Sequence, residues 1–294
     1  MRQFRETLYR WIFTVLAFAS LLFLTGIVLT LFRESLPFLV SHEFFDTVLG
    51  LYWYPTYDPA DFGMLPLITA SFVVTLGAMV VCIPVGVGTA LFLHELASAS
   101  QRAVLKPLIE ILAGIPSIIY GFFGMIIVAP FIQNLLGVPT GLNAFTASLI
   151  LGIMATPTVA SLAEDALSFV PRSFREASLA LGANRWQTLT RVVVPAAGSG
   201  ISTAIILGIG RAVGETMVVL MVAGGAAVIP DSIFDPVRPM TATIAAEMGE
   251  TVMGSVHYSA IFTIGLILFF ITLAINIVAE IISRRFRLKL GLGR

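Results

Sequence analysis

Long apolar segments separated by short polar ones dominate this chain. Six segments are long enough to cross a ~30 Å hydrocarbon core as an α-helix, which takes about 20 residues. They are Leu8–Phe32, Leu67–Leu93, Leu105–Ile132, Ala144–Leu167, Gly198–Val228 and Tyr258–Ile282. The pattern therefore predicts an all-α integral membrane protein with six transmembrane helices.

The basic residues between these segments are unevenly distributed. Of the 17 Lys and Arg, only Arg33 and Arg238 fall on one side of the predicted membrane, and Arg211 lies within it. All the others fall on the opposite side, which the positive-inside rule makes cytoplasmic. Both termini are therefore predicted to be cytoplasmic. The first apolar run is too long for a signal peptide, so we expect it to remain as an anchor.

Composition excludes an ordinary soluble domain. Hydrophobic residues make up 57% of the chain and charged residues 12%, with a mean hydropathy of +0.97, so polar surface is too scarce to cover a globule. The formal net charge of zero gives no information about partners, and we expect no nucleic-acid partner. Cys82 is the only cysteine, which excludes an internal disulfide and a cysteine-rich metal site, and no metal site is predicted.

Three regions follow from this pattern. Residues 1–66 form a first membrane helix and a long external loop, residues 67–283 a multi-span membrane domain, and residues 284–294 a basic cytoplasmic tail. Trp53, Tyr54 and Tyr57 lie in the external loop. Aromatic residues there favour an interfacial belt, with a docking surface for an outside partner as the alternative.

An arginine and a glutamate lie one helical turn apart in the fifth segment, Arg211 and Glu215. Arg211 follows Ile201 by roughly 15 Å of helix, near the membrane midplane. An arginine at that depth costs on the order of 2.5 to 3.5 kcal/mol, so it should find a partner, and Glu215 is the nearest candidate. Two interpretations stay open: the pair opens for an anion in transit, or it is a permanent bridge that orients the helix.

Helix-bending residues interrupt the third and fourth segments at Gly114-Ile-Pro116-Ser117 and Thr156-Pro157-Thr158. Broken membrane helices often line substrate paths, although small residues also serve close helix packing, and both interpretations stay open. Together with Arg211 and Glu215, the predicted substrate path therefore includes hydroxyl side chains that are also candidates for simple packing: Ser117, Thr156, Thr158 and Thr216.

The segment between the fourth and fifth spans, residues 171–195, predicts two short helices separated by a sharp turn. Ser173 and Glu176 fit a capping box, Gly182 suits a helix C-terminus, and Asn184 with Gln187 can cap the second helix. On the first helix, an apolar face is formed by Phe174, Ala177 and Leu181. Such a helix either lies on the membrane or fits a groove in a partner.

This segment resembles the EAA loop of permease subunits of ATP-binding-cassette (ABC) importers. Glu176-Ala177-Ser178 is followed by Gly182 and then by Val192-Val-Val-Pro195, with Ser178 where that family usually has Ala. The resemblance implies a type I importer permease (MetI-like) fold and a coupling helix that sits in a cleft of an ATPase subunit. The residues implied in ATPase coupling are Phe174, Glu176, Ala177, Leu181 and Gly182.

Further motifs resemble the phosphate-specific (Pst) permeases, in particular the PstC-like branch. They are Gly208 to Thr216, Gly114 to Gly121, Leu91 to Leu96, Trp53 with Pro55, and Met240 to Glu247. The resemblance implies phosphate import by a multi-pass protein of the cell membrane, in contact with lipid. It also implies a PstA-like second permease, two PstB-like ATPase subunits that bind ATP and Mg²⁺, and an external PstS-like phosphate-binding protein, with no cofactor in this chain.

Two other classes of function stay open. A permease for another oxyanion, such as molybdate or sulfate, would keep the loop and change the charges of the fifth span. A membrane enzyme would need a nucleophile with a base, or a metal cluster, within the spans. Glu164 and Asp165 are adjacent and point to different helix faces, and no GxxxxGK[ST] sequence occurs, so we predict a transport subunit without enzymatic activity.

Overall fold

The computed structural model describes residues 2–289 and is helical almost throughout. A first helix, α1 (Arg2–Ser41), is followed by α2 (Phe44–Leu49) and a two-stranded antiparallel hairpin in which Trp53 pairs with Phe62 and Tyr54 with Asp61. The strands are β1 (Trp53–Tyr54) and β2 (Asp61–Phe62). The first helix therefore continues beyond the predicted boundary at Phe32, and the loop predicted to be external is shorter than expected.

The membrane domain is built from the remaining helices. In chain order they are α3 (Leu65–Leu91), α4 (Ala99–Ala113), α5 (Ser117–Phe123), α6 (Ala129–Leu136), α7 (Ala144–Ser168), α8 (Arg172–Ala180), α9 (Arg185–Thr188), α10 (Val194–Ala196), α11 (Gly198–Val213), α12 (Met217–Val222), α13 (Met240–Glu247) and α14 (Val256–Lys289). Single π-helical turns cover Phe92–Leu96, Gly124–Val128 and Leu189–Val193.

Within the described residues, five helices are long and apolar enough to cross a membrane. A sixth span exists if the bent pair Arg185–Ala196 and Gly198–Val213, which meets at 67°, counts as one. The predicted third span is wrong in its first part, because α4 is a separate helix and the qualifying segment is Ser117–Leu136. The predicted fifth span is also wrong at its end, because α11 stops at Val213 and a short helix follows.

Helix α7 lies at the centre of the membrane domain. Asn143 caps its first turn by accepting a hydrogen bond from the Thr146 amide, and most of the helix is buried. It packs closely on α3, where a Cβ on Gly152 would lie 2.8 Å from the Ala78 carbonyl oxygen. Pro157 does not interrupt α7. Small residues thus serve close packing in the fourth span, whereas a true break occurs in the third.

The aromatic residues of the loop that was predicted to be external divide into two groups. Trp53 is 2% exposed, and its indole N–H donates to the carboxylate of Glu247, with a distance of 3.1 Å from Nε1 to Oε2. Arg238 pairs with the same carboxylate at 2.7 Å. The belt interpretation is therefore wrong for Trp53, which packs inside the protein because Glu247 satisfies its polar group. Tyr57, which is 66% exposed, fits the prediction.

The last helix, α14, runs to Lys289, so part of the predicted 284–294 tail continues a helix. Residues 290–294 of that tail lie outside the described residues. Helix α14 packs on α1, α11 and α13, and its contacts with α1 join the first helix to the rest of the domain. The fold therefore has two candidate functional regions. One is the pair of helix breaks near Arg211, and the other is the loop between α7 and α11.

Candidate substrate path and docking loop

Two helix breaks lie side by side inside the membrane domain. The first break lies at residues 114–116, between the end of α4 and the start of α5 at Ser117. The fifth span ends at Val213 and restarts at Met217 as α12. A Cβ added to Gly121 of α5 would lie 3.3 Å from the Met217 carbonyl oxygen, so the two restarted helices are in direct contact. Backbone polar groups freed by both breaks are thus concentrated in one region.

Arg211 lies in the last turn of α11, next to these breaks. Its Nη1 donates to Oγ1 of Thr158 at 2.9 Å, and its Nη2 donates to the carbonyl oxygen of Ala113 at 3.4 Å. Thr158 is close to the midpoint of α7, and Ala113 is the last residue of α4. The C-terminal carbonyls of a helix carry partial negative charge, which suits a cation. The guanidinium is therefore held by neutral oxygens from two other elements.

The predicted partnership between Arg211 and Glu215 is not formed in the described residues 2–289, where no ion pair joins them. The prediction assumed one continuous helix, but α11 ends at Val213, so the i, i+4 geometry is lost. Oε1 of Glu215 instead accepts from the amides of Met217 at 3.0 Å and Val218 at 3.2 Å. Glu215 thus stabilises the N-terminus of α12, where a negative charge is favourable.

The predicted hydroxyl residues divide between the two breaks and the helix packing. Ser117 is the first residue of α5, and its hydroxyl has no hydrogen-bond partner among the described residues. Thr216 lies at the other break, with its hydroxyl 3.4 Å from the Gly214 carbonyl. Thr156 donates to the Gly152 carbonyl of its own helix at 2.8 Å, and its backbone carbonyl faces Gly86 of α3. The structure therefore places Thr158 in contact with Arg211, Ser117 and Thr216 at the two helix breaks, and Thr156 in the packing with α3.

The loop of residues 171–195, called the docking loop below, forms the predicted pair of short helices. Gly182 ends the first helix region with a φ of +85°, and Asn184 with Gln187 makes a complete capping box on α9. Both predictions are confirmed. The predicted capping box of Ser173 and Glu176 is wrong, because Pro171 is the N-cap and Ser173 is already inside the helix.

The docking loop presents an exposed apolar groove. Leu181 is 90% exposed and Phe174 is 47% exposed. They line a groove of about 670 Å³ whose walls are Phe174, Ala177, Ser178, Leu181, Gly182, Ala183, Gln187, Arg191 and Val192. The three predicted apolar residues therefore share one surface. Glu176 is exposed, and its carboxylate has no hydrogen-bond partner among the described residues. An exposed apolar groove of this kind indicates a binding surface.

Two charge clusters next to the docking loop were missed by the sequence reasoning. Arg175 pairs with Glu95 at 2.6 Å, and Glu164 is buried between Arg102 and Lys106. The hydrogen bond that the Lys106 ammonium group donates to Glu164, together with a weaker one to Asp165, raises the pKa of that group above its ordinary value. Because these pairs join residues far apart in the chain, the only signal in the sequence was the presence of charges at helix ends.

Replacement of Glu164 by glutamine should lower the stability of the purified protein. The Glu164 side chain is 1% exposed, whereas Arg102 and Lys106 are about one-third exposed and can recover hydration. We therefore expect a loss of about 2 kcal/mol, below the usual cost of breaking a fully buried pair. Thermal unfolding in detergent measures this, and Asp165→Asn is the control, because Asp165 is 50% exposed and should change stability by less than about 1 kcal/mol. Equal losses of stability in both variants would contradict the stabilising role of the buried Glu164 carboxylate.

The fold and the two sites define a membrane permease of the ABC importer class, and comparison with known proteins gives the family. Residues 82–288 match the model for the binding-protein-dependent transport system inner membrane component, and the chain belongs to this family. It is therefore a multi-pass cell-membrane protein and a transport subunit, and ATP is hydrolysed by a partner. Such permeases generally work with another permease domain, an ATPase and a binding protein.

Curated relatives and solved structures agree with this assignment. The chain is 36% identical, over 97% of its length and 93% of the relative's, to the probable ABC transporter permease protein YqgH of Bacillus subtilis. It is 34% identical, over 94% and 89%, to the phosphate transport system permease protein PstC of Mesorhizobium japonicum. A bacterial alginate ABC transporter has a similar fold, with a TM-score of 0.67 at 13% identity over 97% and 98% of the two chains. The MetNI methionine ABC transporter gives 0.57 at 23% identity over 76% and 94%.

Proposed function

We propose that this chain is the permease subunit of an ATP-driven importer of inorganic phosphate and forms half of the translocation path. Relatives named as phosphate transport permeases support the substrate. The single observation that carries the proposal is the Arg211 guanidinium, which is half-buried among broken helices and bonded only to neutral oxygens. A permanently charged planar fork without a carboxylate partner is suited to bind a phosphate oxygen pair.

Transit at Arg211 is proposed as an exchange of hydrogen-bond partners. Phosphate at neutral pH is a mixture of mono- and dianion, and both forms need a cation to enter a low-dielectric region. The contact from Arg211 to the Ala113 carbonyl is long at 3.4 Å and therefore weak, so a phosphate oxygen can replace it at little cost. Thr158 keeps the side chain directed toward the breaks during the exchange. Ser117 and Thr216 are proposed as additional hydroxyl contacts, and Thr156 as a more distant one.

Glu215 is proposed to select the protonated anion. Its Oε1 is occupied by two amides of α12, whereas Oε2 has no hydrogen-bond partner among the described residues. That oxygen can accept a hydrogen bond from a protonated phosphate oxygen, and its charge repels fully deprotonated sulfate. The role differs from a pairing with Arg211, because Glu215 keeps its hydrogen bonds to the first amides of α12 during transit.

Two substitutions of Glu215 separate its charge from its capping role. Glu215→Gln keeps an oxygen that accepts from Met217 and Val218, so the stability of the protein should stay near wild type while discrimination against sulfate falls. Glu215→Ala removes the cap and should cost about 1 kcal/mol in thermal unfolding as well. The measurement is uptake of labelled phosphate in the presence of competing sulfate. If Glu215→Gln discriminates as well as wild type, the proposed selection by charge is incorrect.

The partners follow from the same proposal. A PstA-like permease supplies the other half of the path, two PstB-like ATPase subunits bind ATP and Mg²⁺, and an external PstS-like protein delivers phosphate. The segment with Phe174, Ala177, Leu181 and Gly182 is proposed to sit in a cleft of one ATPase subunit, so that an edge of the cleft fills the exposed groove and Glu176 lies at its exposed side. Apolar burial in the groove would then provide affinity, and the fixed turn at Gly182 would provide orientation.

The proposal is tested by purifying the chain with the proteins that bind it and measuring ATP hydrolysis in vesicles. We expect a complex with a second permease and an ATPase, whose hydrolysis rises when phosphate and the external binding protein are added together. Hydrolysis that responds to molybdate or sulfate and not to phosphate would assign the permease to another oxyanion. If the chain purifies without any ATPase, the proposed binding of the docking loop to an ATPase subunit is contradicted.

A further inference from the structure

The docking loop is tied to the end of the second span by one charged side chain. Nη2 of Arg175, on α8, lies 2.6 Å from Oε1 of Glu95 and 3.0 Å from Nδ1 of His94. Glu95 and His94 belong to the π-helical turn that follows α3. Within residues 2–289, these are the only polar side-chain contacts from α8 to a residue outside the docking loop. The Arg175 guanidinium is thus a specific connection between loop and span.

The pair of Arg175 and Glu95 is partly buried, whereas the Arg175 guanidinium keeps one donor without a partner. The Arg175 and Glu95 side chains are 25% and 21% exposed, so solvent screens the pair less than a surface pair. Nδ1 of His94 cannot accept from Arg175 and donate to Glu95 at once, so a neutral ring protonated on Nε2 fits the contact. Nε of Arg175 is buried without a partner in the described chain. A contact with an unsatisfied donor can gain a hydrogen bond by moving.

The π-helical turn leads directly to the region around Arg211. Ser98, just after the turn, forms a capping box with Gln101 and thereby starts α4. The first half of α4 is held by Arg102 and Lys106, which both pair with Glu164 of α7. The helix ends at Ala113, whose carbonyl accepts from Arg211. A continuous series of contacts therefore runs from the docking loop to the candidate phosphate site.

We propose that Arg175 is a positioning residue for transport: its pair with Glu95 carries movement of the docking loop to α4, and α4 moves the Ala113 carbonyl that holds Arg211. Closure of the ATPase on the loop would then change how tightly Arg211 is held, and so favour binding or release of the anion. The inference rests on the proposed coupling role of the docking loop. It adds a second function to a charge pair that would otherwise serve packing alone.

The test uses the complete complex in vesicles and compares phosphate taken up per ATP hydrolysed. Arg175→Gln should lower this ratio by about fivefold or more while hydrolysis and assembly are kept. Arg175→Lys, which keeps the charge, should restore most of the ratio. Exchange of the charges in the double variant Arg175→Glu with Glu95→Arg should perform better than either single variant. Arg172→Gln is the matched control, because Arg172 is exposed on the same helix and has no polar partner among the described residues.

A second measurement needs no phosphate. Spin labels at Ile111, near the end of α4, and at Leu207 on α11, one turn before Arg211, are both placed at exposed positions, in a Cys82→Ala background. In the wild-type complex a non-hydrolysable ATP analogue should change the distance between the labels, and Arg175→Gln should abolish the change. A distance change that persists in Arg175→Gln, or is absent from wild type, overturns the inference. An unchanged uptake ratio in Arg175→Gln overturns it too, whereas failure of phosphate to stimulate wild-type hydrolysis would instead refute the proposed function.

Discussion

Substitution of Arg211 by glutamine should abolish phosphate uptake while the complex still assembles. Glutamine can keep one hydrogen bond to Thr158 or Ala113, so local packing is largely preserved, but the fixed positive charge is lost. Losing charge-assisted hydrogen bonds to phosphate oxygens corresponds to ~3 kcal/mol, or about 100-fold in uptake rate. Labelled phosphate uptake into vesicles measures the effect, and size-exclusion chromatography of the complex measures assembly.

Two control variants separate transport from structure at this position. Arg211→Lys keeps a charge but loses the planar fork, so we expect intermediate uptake. Arg33→Gln removes an arginine whose side chain is 87% exposed, and uptake should be unaffected. Normal uptake by Arg211→Gln would rule out the proposed site. Loss of assembly in the same variant would show instead that Arg211 braces α11 against α7 and α4.

Substitution of Gly182 by valine should uncouple ATP hydrolysis from uptake. Gly182 has a φ of +85°, and a Cβ built on it meets no atom within 4 Å, so the penalty comes from the backbone and not from a clash. A β-branched residue in that conformation costs about 1–2 kcal/mol. We therefore expect the backbone of the turn to leave the left-handed conformation, which changes the shape of the turn. The groove beside the turn would then no longer match the ATPase. Uptake per ATP hydrolysed is the measurement, and we expect it to fall by about tenfold.

The chain provides a matched control for this glycine. Gly254 has a φ of +79° and equally open space around it, but it lies in the connection before α14, away from the docking loop. Gly254→Val carries the same backbone penalty and should leave coupling unchanged. Gly182→Asn should be nearly normal, because asparagine tolerates the left-handed region. If Gly254→Val and Gly182→Val lower coupling equally, the effect is one of general stability.

Much of the fold could be predicted because the membrane imposes long apolar segments. The second, fourth and sixth spans match within a few residues, since each is one continuous helix with a clear polar boundary. The docking loop was also predictable, because Gly182 and Asn184 act on their own neighbours in sequence. Local signals of this kind need no knowledge of tertiary contacts.

The candidate site was harder to predict because its contacts are not local. Arg211 was correctly expected to need a partner, but the pattern offered only Glu215, the residue one turn away. The turn at Gly214 ends α11 and directs Glu215 to α12, while the true partners of Arg211 are separated from it by 53 and 98 positions. Trp53 was misassigned for a similar reason, since its partner Glu247 lies 194 positions away.

The most direct test of the account is competition for uptake by vesicles that contain the wild-type complex, the external binding protein and internal ATP. Labelled phosphate is supplied with an excess of unlabelled phosphate, sulfate or molybdate. The account predicts that unlabelled phosphate alone suppresses uptake. Equal suppression by sulfate, or uptake that does not depend on ATP, would contradict a phosphate path through Arg211.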